Sequence, residues 1–238
     1  MGSDFLSDIE LYYSGLPVSD GVIRIEEDER HHIIDVMRHK TGDEIYVTDG
    51  SGSIYTASIQ SVQKKYVEAI ITKTRQYRNE YPNIYFCIPR LKSAERFEFA
   101  LEKCVEFGIT NFIVFDSSHT VAKGEKVERW QKILTGGMKQ SLRAWLPNVR
   151  YVKDILHIIK LDGTKYFFDQ NASHSFQGIL TSKFTADNFY FIFGPEGGFS
   201  EDEMELVPDD FKIKLTGNRL RSETAIISAA VILSSAKL

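Results

Sequence analysis

The sequence predicts an α/β protein in which a small N-terminal β module precedes a larger domain with a largely parallel sheet. Up to residue 75, short segments alternate apolar and polar residues, which is the period of half-buried strands. From residue 83 onward, apolar runs alternate with amphipathic helical segments, the pattern of a parallel sheet covered by helices. Near the C-terminus, two glycine-containing loops at 194–200 and 215–225 follow strand-like runs, where an α/β protein binds its ligand.

The N-terminal module is predicted to contain four strands and one helix. The strands are expected at residues 21–25, 43–49, 53–59 and 66–71. Residues 49–52, Asp-Gly-Ser-Gly, are typical of a hairpin turn between two of them. The helix is expected at 26–39, with Ile33, Ile34 and Met37 on its apolar face. Small β-barrels often bind nucleic acid, and the alternative for this module is a packing or dimerisation role.

The boundary between the two predicted domains lies in residues 73–82. This segment is polar and basic and ends in a proline, as linkers often do. The domains are therefore predicted at 1–75 and 76–238. In the second domain we expect alternating strands and helices, with strands at 84–88, 111–116, 165–169 and 189–193 and helices at 93–107 and 125–145.

The two long helices of the second domain are predicted to be amphipathic. The helix at 93–107 has an apolar face at the helical period, which consists of Phe97, Ala100, Leu101 and Cys104. Gly108 suits the C′ position of that helix. The helix at 125–145 is expected to turn Trp130, Ile133 and Leu134 inward.

Composition indicates a soluble, reduced, cytoplasmic protein. Apolar residues make up 42% of the 238 positions and charged residues 26%, which is ordinary for a globular protein. No apolar run approaches the ~20 residues that span a bilayer, and no export leader opens the chain. Cys87 and Cys104 are expected to be small buried residues rather than a disulfide or a metal site. His31, His32 and His39 lack metal-ligand spacing with a cysteine, so no metal is expected.

Charge is distributed unevenly along the chain. Residues 1–60 hold 4 basic and 12 acidic side chains, whereas residues 61–160 hold 18 basic and 10 acidic ones. Such asymmetry indicates a basic surface for nucleic acid, although solvated helices are the alternative source of the pattern.

The first loop, residues 194–200, reads Gly-Pro-Glu-Gly-Gly-Phe-Ser. Its three glycines permit positive φ and a close approach of a ligand to the backbone, and Pro195 stiffens it. Ser200 and Glu203 have capping-box spacing, so a helix is expected to begin there. The loop carries neither a dinucleotide fingerprint nor a P-loop lysine, and Glu196 would repel a phosphate. A neutral or cationic ligand is favoured; the alternative is a well-capped tight turn.

The second loop, residues 215–225, leads into the C-terminal helix. Ser222 is expected to be the N-cap of that helix, and Glu223 in its first turn favours the helix dipole. Arg221 beside a glycine turn instead indicates contact with an anion or a base.

These two loops resemble those of the RsmE family, SPOUT-superfamily methyltransferases that act on N3 of a uridine in 16S rRNA. The long motifs are residues 194–200 and 220–225, Leu-Arg-Ser-Glu-Thr-Ala. Short motifs in the family's order occur at His32, 36–38, 42–43, 106–108, 129–130, 140–143 and Pro147. The chain departs from the family at 215–221, where the glycine is shifted by one place and Arg219 replaces a common isoleucine. It also carries Ser-Ser-His-Thr at 117–120 for the usual Ser-Glu-Arg-Ser.

The resemblance implies a C-terminal SPOUT-type parallel sheet with helices and a trefoil knot, plus a small N-terminal PUA-like β-barrel. It implies a homodimer that binds S-adenosylmethionine and acts on 16S rRNA in the 30S subunit. The residues expected to hold the cofactor are Phe193, Gly194, Pro195, Gly197, Gly198, Leu215, Thr216, Gly217, Leu220 and Thr224. Those expected to contact RNA are Arg38, Arg75, Arg78, Arg129, Lys139, Gln140 and Arg143.

The implied reaction sets the expected roles of three further residues. N3 of uracil becomes a good nucleophile only after it loses its proton, so the site needs a base or a group that stabilises the anion. Arg221 is expected to stabilise negative charge on a uracil carbonyl, with Glu223 or Glu196 as the base. The alternatives are a SPOUT enzyme with another RNA target, such as a ribose 2′-hydroxyl, and a non-catalytic RNA-binding protein.

Overall fold

The computed structural model describes residues 7–180 and 187–236, and the chain divides into two compact units. Unit 1 comprises Met1–Asn79 and Met138–Leu146, and unit 2 comprises Glu80–Gly137 and Pro147–Leu238. The predicted domains, 1–75 and 76–238, differ from these units in the position of the boundary and in the assignment of residues 138–146.

Residues 138–146 pack within unit 1, although their sequence suggests the end of a long helix of the second domain. Ala144 O accepts hydrogen bonds from Gly52 N at 2.9 Å and from Thr48 Oγ1 at 3.2 Å. The indole N–H of Trp145 donates to Tyr77 O at 2.9 Å. The Ala144 carbonyl is therefore paired outside any helix, and the helix predicted at 125–145 ends at Gln140.

Unit 1 is built on one curled five-stranded sheet. Its strands are β1 (Leu11–Tyr13), β2 (Val22–Glu26), β3 (Glu44–Thr48), β4 (Ser53–Val62) and β5 (Tyr66–Gln76). Their order is β1-β3-β4-β5-β2, with β1 and β3 parallel and the other pairs antiparallel. Ser14 Oγ, just after edge strand β1, donates to Arg24 O in edge strand β2 at 2.6 Å, so the two edges approach each other. Because β5 continues to Gln76, the first residues of the predicted linker are strand instead.

The helix of unit 1 is shorter and less regular than predicted. Helix α1 (Glu27–His31) passes into a π-helical turn at His32–Val36, in which Met37 N donates to His32 O at 2.9 Å. The wider turn rotates the residues after it about the axis. Ile33 is therefore buried while Met37 is 45% exposed, so the prediction that Met37 lies on the core face is wrong.

Unit 2 contains a seven-stranded sheet in which every described pair is parallel, as the alternating pattern predicted. Its strands are β6 (Ile84–Pro89), β7 (Asn111–Phe115), β8 (Asn148–Val152), β9 (Thr164–Phe168), β10 (His174–Ser175), β11 (Phe189–Ile192) and β12 (Lys212–Lys214). Their order is β10-β12-β9-β11-β6-β7-β8, so β11 lies between two strands that precede it in the chain. The carboxyl ends of β9, β11 and β12 therefore lie side by side. The trefoil knot stays a prediction.

The helices that accompany this sheet are α2 (Ala94–Glu106), α3 (Val127–Gln140), α4 (Leu156–Ile159), α5 (Phe176–Ile179), α6 (Glu201–Met204) and α7 (Ser222–Ser235). The predicted apolar face of α2 is buried, and Gly108 follows the helix with a φ of +89°. In α3, Trp130 and Leu134 are buried and Ile133 is half-buried. None of the helices in the described ranges is long and apolar enough to cross a membrane.

Both cysteines are free thiols in the core of unit 2. Cys104 on α2 lies against α7, with its Sγ 3.9 Å from Ile226 O, so the two helices pack directly on each other. Burial raises the pKa of the Cys87 and Cys104 thiols well above the usual range. Neither is a nucleophile or a ready metal ligand. Residues 7–180 and 187–236 also contain no cluster of three His, Cys, Asp or Glu side chains that could hold a metal.

Candidate active site

A cavity of about 1190 Å³ lies at the carboxyl edge of the unit 2 sheet, beside β9, β11 and β12. Its apolar lining includes Phe168 at the end of β9, Phe193 just after β11 and Ile213 in β12. The rings of Phe168 and Phe193 stack with centroids 4.5 Å apart and planes 3° apart. Apolar cavities with a few polar groups at strand ends are the usual ligand sites of open parallel sheets.

One wall of the cavity is residues 194–200, which we call the glycine loop. Gly198 has a φ of +74°, and its N–H donates to Pro195 O at 2.9 Å. A Cβ on Gly197 would meet the Cβ of His119 at 3.1 Å, and one on Gly194 would meet the Phe199 ring at 3.3 Å. Gly198 is therefore required by a left-handed backbone conformation, and Gly194 and Gly197 are required by close packing.

The glycine loop is tied to a second segment, residues 117–120, through Glu203. Ser200 and Glu203 form the predicted capping box at the start of α6. The Glu203 carboxylate is buried and accepts bonds from Ser200 N at 2.9 Å, Ser118 N at 2.9 Å and Ser117 Oγ at 3.0 Å. His119 Nδ1 also lies 3.1 Å from Gly198 O. Because a buried carboxylate with three donors is hard to displace, this network holds the loop in one conformation.

A second part of the cavity lining is supplied by residues 215–221, which we call the arginine loop. It leads from β12 into α7, and Arg219 and Arg221 are exposed on the cavity. The predicted N-cap role of Ser222 is wrong, because Arg221 is extended (φ −72°, ψ 155°) and Ser222 is the first helical residue. Arg221 makes no side-chain capping bond. Its guanidinium is therefore not used to cap the helix.

Glu223 and Arg96 form an ion pair on the cavity. Glu223 lies in the first turn of α7, with its side chain only 13% exposed, and its Oε1 is 3.6 Å from Arg96 Nη1. Its Oε2 is buried without a hydrogen-bond partner among the described residues. A substrate N–H would have to displace Arg96 or reach a covered oxygen to use Glu223 as a base.

Glu196 in the glycine loop differs from Glu223 in its surroundings. It is exposed and lines the cavity, and its Oε1 accepts a hydrogen bond from Lys92 N at 2.9 Å. The backbone donor orients the carboxylate without placing a cation against it. Of the two carboxylates that the sequence singled out, Glu196 is therefore the one open to a ligand.

The structure brings most of the predicted cofactor residues together. Those that line the cavity are Phe193, Gly194, Pro195, Gly197, Gly198, Leu215, Thr216 and Leu220. Gly217 and Thr224 are exposed and do not line it. Arg96 and Asn171 line the cavity without having been singled out. No local signal marks them, because their place depends on the packing of α2 on α7 and on the loop after β9.

The predicted RNA residues are spread over both units. Arg129 belongs to unit 2; those in unit 1 are Arg38, Arg75, Arg78, Lys139, Gln140 and Arg143. Lys139 Nζ donates to Glu29 Oε1 at 2.5 Å, and Arg129 donates to both oxygens of Glu98 at 2.6 and 2.9 Å. These two cations are already engaged by carboxylates.

The other predicted RNA residues in unit 1 differ in their exposure. Arg38, Arg78 and Gln140 are exposed, whereas Arg75 is half-buried and donates to Thr56 Oγ1 at 2.7 Å. Because Arg38, Arg78 and Gln140 are exposed, RNA could contact their side chains without displacing other parts of unit 1.

Comparison with known proteins agrees with this arrangement. Residues 79–234 match the family model of an RNA methyltransferase domain, and residues 25–72 match that of an RNA methyltransferase PUA domain. The chain is 28% identical over 226 residues to a ribosomal RNA small subunit methyltransferase E of Bacillus subtilis (strain 168), and 88% of each chain is covered.

Two solved structures are similar along almost the whole chain. One is a ribosomal RNA small subunit methyltransferase E from Neisseria gonorrhoeae bound to S-adenosyl methionine, with a TM-score of 0.84 and 24% identity. That match covers 95% of this chain and 97% of the other. The second is a probable rRNA-methyltransferase from Porphyromonas gingivalis, with a TM-score of 0.80, 27% identity and coverage of 96% and 98%.

Proposed function

The chain belongs to the RNA methyltransferase family, and we propose that it methylates N3 of a specific uridine in 16S rRNA, with S-adenosylmethionine as cofactor. The observation that carries the proposal is the single cavity that holds both the glycine loop and the arginine loop. The relative from Bacillus subtilis, named as a small-subunit rRNA methyltransferase, supports the rRNA target.

The cavity residues fit S-adenosylmethionine. Its volume of about 1190 Å³ accommodates a ligand of that size, and its aromatic floor offers apolar contact for an adenosine group. Gly194 and Gly197 line the cavity, and a side chain at either position would crowd its neighbours. The eight predicted cofactor residues on the cavity would hold the cofactor. When bound there, the cofactor supplies an electrophilic methyl group.

We assign the two chemical roles to Arg221 and Glu196. Arg221 projects from the arginine loop onto the cavity and would stabilise the negative charge that develops on a uracil carbonyl as N3 loses its proton. Glu196 would accept that proton, because its carboxylate is exposed on the cavity. Glu223, the other candidate base, would act instead through its ion pair with Arg96.

The target base would have to leave its stack to enter such a cavity. We propose that exposed Arg38, Arg78 and Gln140 contact the RNA around it, together with Arg143. Arg75, Arg129 and Lys139 would join them once their present partners are exchanged for phosphates. The proposal places the enzyme in the cytoplasm as a homodimer that acts on the 30S subunit.

The decisive test is an assay with 30S subunits from a strain that lacks this activity and S-adenosylmethionine carrying a labelled methyl. Digestion and nucleoside analysis should give labelled N3-methyluridine. Label on a ribose would identify a 2′-O-methyltransferase and reject the N3 assignment. No label, with no cofactor binding in a separate titration, would leave an RNA-binding protein.

Arg221→Ala should lower kcat by about 10²- to 10³-fold, because a donor aimed at developing charge contributes that much to catalysis. Binding of S-adenosylhomocysteine should stay within about twofold, since the exposed guanidinium is not part of the glycine loop. Arg150→Ala, at an exposed position on β8, removes one cation from the same unit and is the matched control. Full activity of Arg221→Ala would reject this role.

A further inference from the structure

Arg96 differs from Arg129, the other ion-paired arginine in the described part of unit 2, in having unused N–H donors. Arg129 donates two guanidinium N–H groups to the two carboxylate oxygens of Glu98 in a bidentate pair. Arg96 approaches Glu223 only to 3.6 Å, beyond a hydrogen bond, and within the described ranges this is its one side-chain ion pair. A guanidinium carries five N–H donors, so Arg96 can still form a two-pronged contact with another anion.

The position of Arg96 is fixed from two sides. On its own helix, Arg96 N donates to the Ser93 cap at 3.3 Å, which places the residue in the first turn of α2. On the other side, α2 packs against α7 through Cys104 and Ile226, which sets the distance to Glu223. The two first turns therefore meet at the cavity, with Arg96 half-exposed at 51% and Glu223 covered.

Glu223 is poorly suited to any role other than holding a cation. One oxygen is buried without a described partner, and the other faces Arg96. Burying a carboxylate is costly unless a positive charge compensates for it, and Arg96 and the start of α7 both do so. The pair thus has the form of a covered carboxylate that orients an exposed guanidinium over the ligand site.

We propose that Arg96, oriented by Glu223, binds an anionic oxygen group of a ligand in this cavity. The inference rests on the proposed function, which offers two sources of such a group. One is the carboxylate of the cofactor's amino-acid portion, and the other is a phosphate beside the target nucleotide. Both present paired oxygens to a guanidinium, and the experiment separates them.

The experiment titrates S-adenosylhomocysteine and 5′-methylthioadenosine, which lacks the amino-acid portion, into the wild type and Arg96→Gln. If Arg96 binds the carboxylate, Arg96→Gln weakens S-adenosylhomocysteine about 10-fold or more and leaves methylthioadenosine unchanged. Arg96→Lys should recover part of the loss, because it restores the charge but not the fork. Glu223→Gln should weaken the same ligand about threefold, since it releases Arg96.

If Arg96 binds a phosphate, both small ligands bind Arg96→Gln normally, while KM for 30S subunits rises. The slope of log KM against log salt concentration should then fall by about one, the loss of a single phosphate contact. Arg150→Gln, which removes an exposed cation on β8, should change neither the affinity for the small ligands nor the KM for 30S subunits.

Two outcomes would overturn the inference, and they differ in what else they reject. If the wild type binds S-adenosylhomocysteine and methylates RNA while Arg96→Gln matches it in both arms, only the role of Arg96 falls. If the wild type binds neither S-adenosylhomocysteine nor 30S subunits, the proposed function falls and the inference with it.

Discussion

The glycine loop and the arginine loop both line the cavity, but they are held in very different ways. The glycine loop is bonded to Lys92 through Glu196, to residues 117–120 through Glu203, and to its own Pro195 carbonyl. In the arginine loop, Asn218 N donates to Thr216 Oγ1 at 3.3 Å, and Arg221 O accepts from Ala225 N at 2.9 Å where α7 begins. One wall is thus built before a ligand arrives, whereas the other presents exposed side chains on a lightly bonded backbone.

This difference separates two tasks of the site. Binding through backbone groups gains from a preformed surface, because little conformational entropy is then lost when the ligand binds. Reaching a base that enters from a folded RNA calls for long side chains that can adjust, and arginine supplies them. The comparison therefore predicts that substitutions in the glycine loop affect stability and cofactor affinity together, while those in the arginine loop affect turnover.

The largest effect is expected at Glu203. Glu203→Ala leaves three donors near the glycine loop without their acceptor and should lower the free energy of unfolding by about 3 kcal/mol. Affinity for S-adenosylhomocysteine should fall by about 10-fold or more, since the loop is then released from residues 117–120. Urea denaturation and calorimetric titration measure the two quantities.

Asp202→Ala is the matched control for this change. Asp202 is exposed on the same short helix, so its removal should cost less than about 0.5 kcal/mol and leave binding intact. If Glu203→Ala destabilised the protein but bound S-adenosylhomocysteine normally, the hydrogen bonds of Glu203 would not be needed to shape the glycine loop for the ligand.

Glu203 also shows how far the sequence could predict this site. Its spacing from Ser200 predicted the capping box, because that bond depends on residues three apart. Its bonds to Ser117 and Ser118 join positions 86 and 85 residues apart, and no local pattern encodes them. The same division applies to Arg96, whose helix was predicted but whose approach to Glu223 depends on tertiary packing.

The fold likewise divides into elements that local sequence patterns predict and elements that depend on long-range contacts. Apolar runs predicted the central strands β6, β7 and β11, since a buried parallel strand is largely apolar, and the aromatic run at 166–168 predicted β9. Strand β8 was missed because it lies at the sheet edge and exposes Asn148 and Arg150. Residues 138–146 lie in unit 1 although their sequence predicts the end of a helix of the second domain, because long-range hydrogen bonds redirect the chain after α3.

A smaller effect is expected from exchanging one glycine in each loop for alanine. Gly198 has a φ of +74°, so Gly198→Ala should cost about 1–2 kcal/mol although nothing crowds the new Cβ. Gly217 has neither positive φ nor a neighbour within 4 Å, and Gly217→Ala should change stability by less than about 0.5 kcal/mol. Parallel urea titrations give both values.

Equal costs for the two glycine variants would mean that the loops do not differ in backbone restraint. Gly198→Asn offers a further check, because asparagine tolerates the left-handed region better than alanine. Its cost should therefore fall between that of the wild type and that of Gly198→Ala.

The smallest effect is expected at His119, which contributes one hydrogen bond to the glycine loop. His119 is exposed, and its Nδ1 lies 3.1 Å from Gly198 O, so His119→Ala should cost about 0.5–1 kcal/mol. Ser118→Ala changes the neighbouring exposed side chain while keeping the backbone bond to Glu203, and it should be nearly neutral. If both variants cost the same, the histidine adds nothing to the backbone contacts of residues 117–120. A larger loss at His119, with S-adenosylhomocysteine binding about threefold weaker, would instead show that even the outermost bond of the preformed wall supports the ligand.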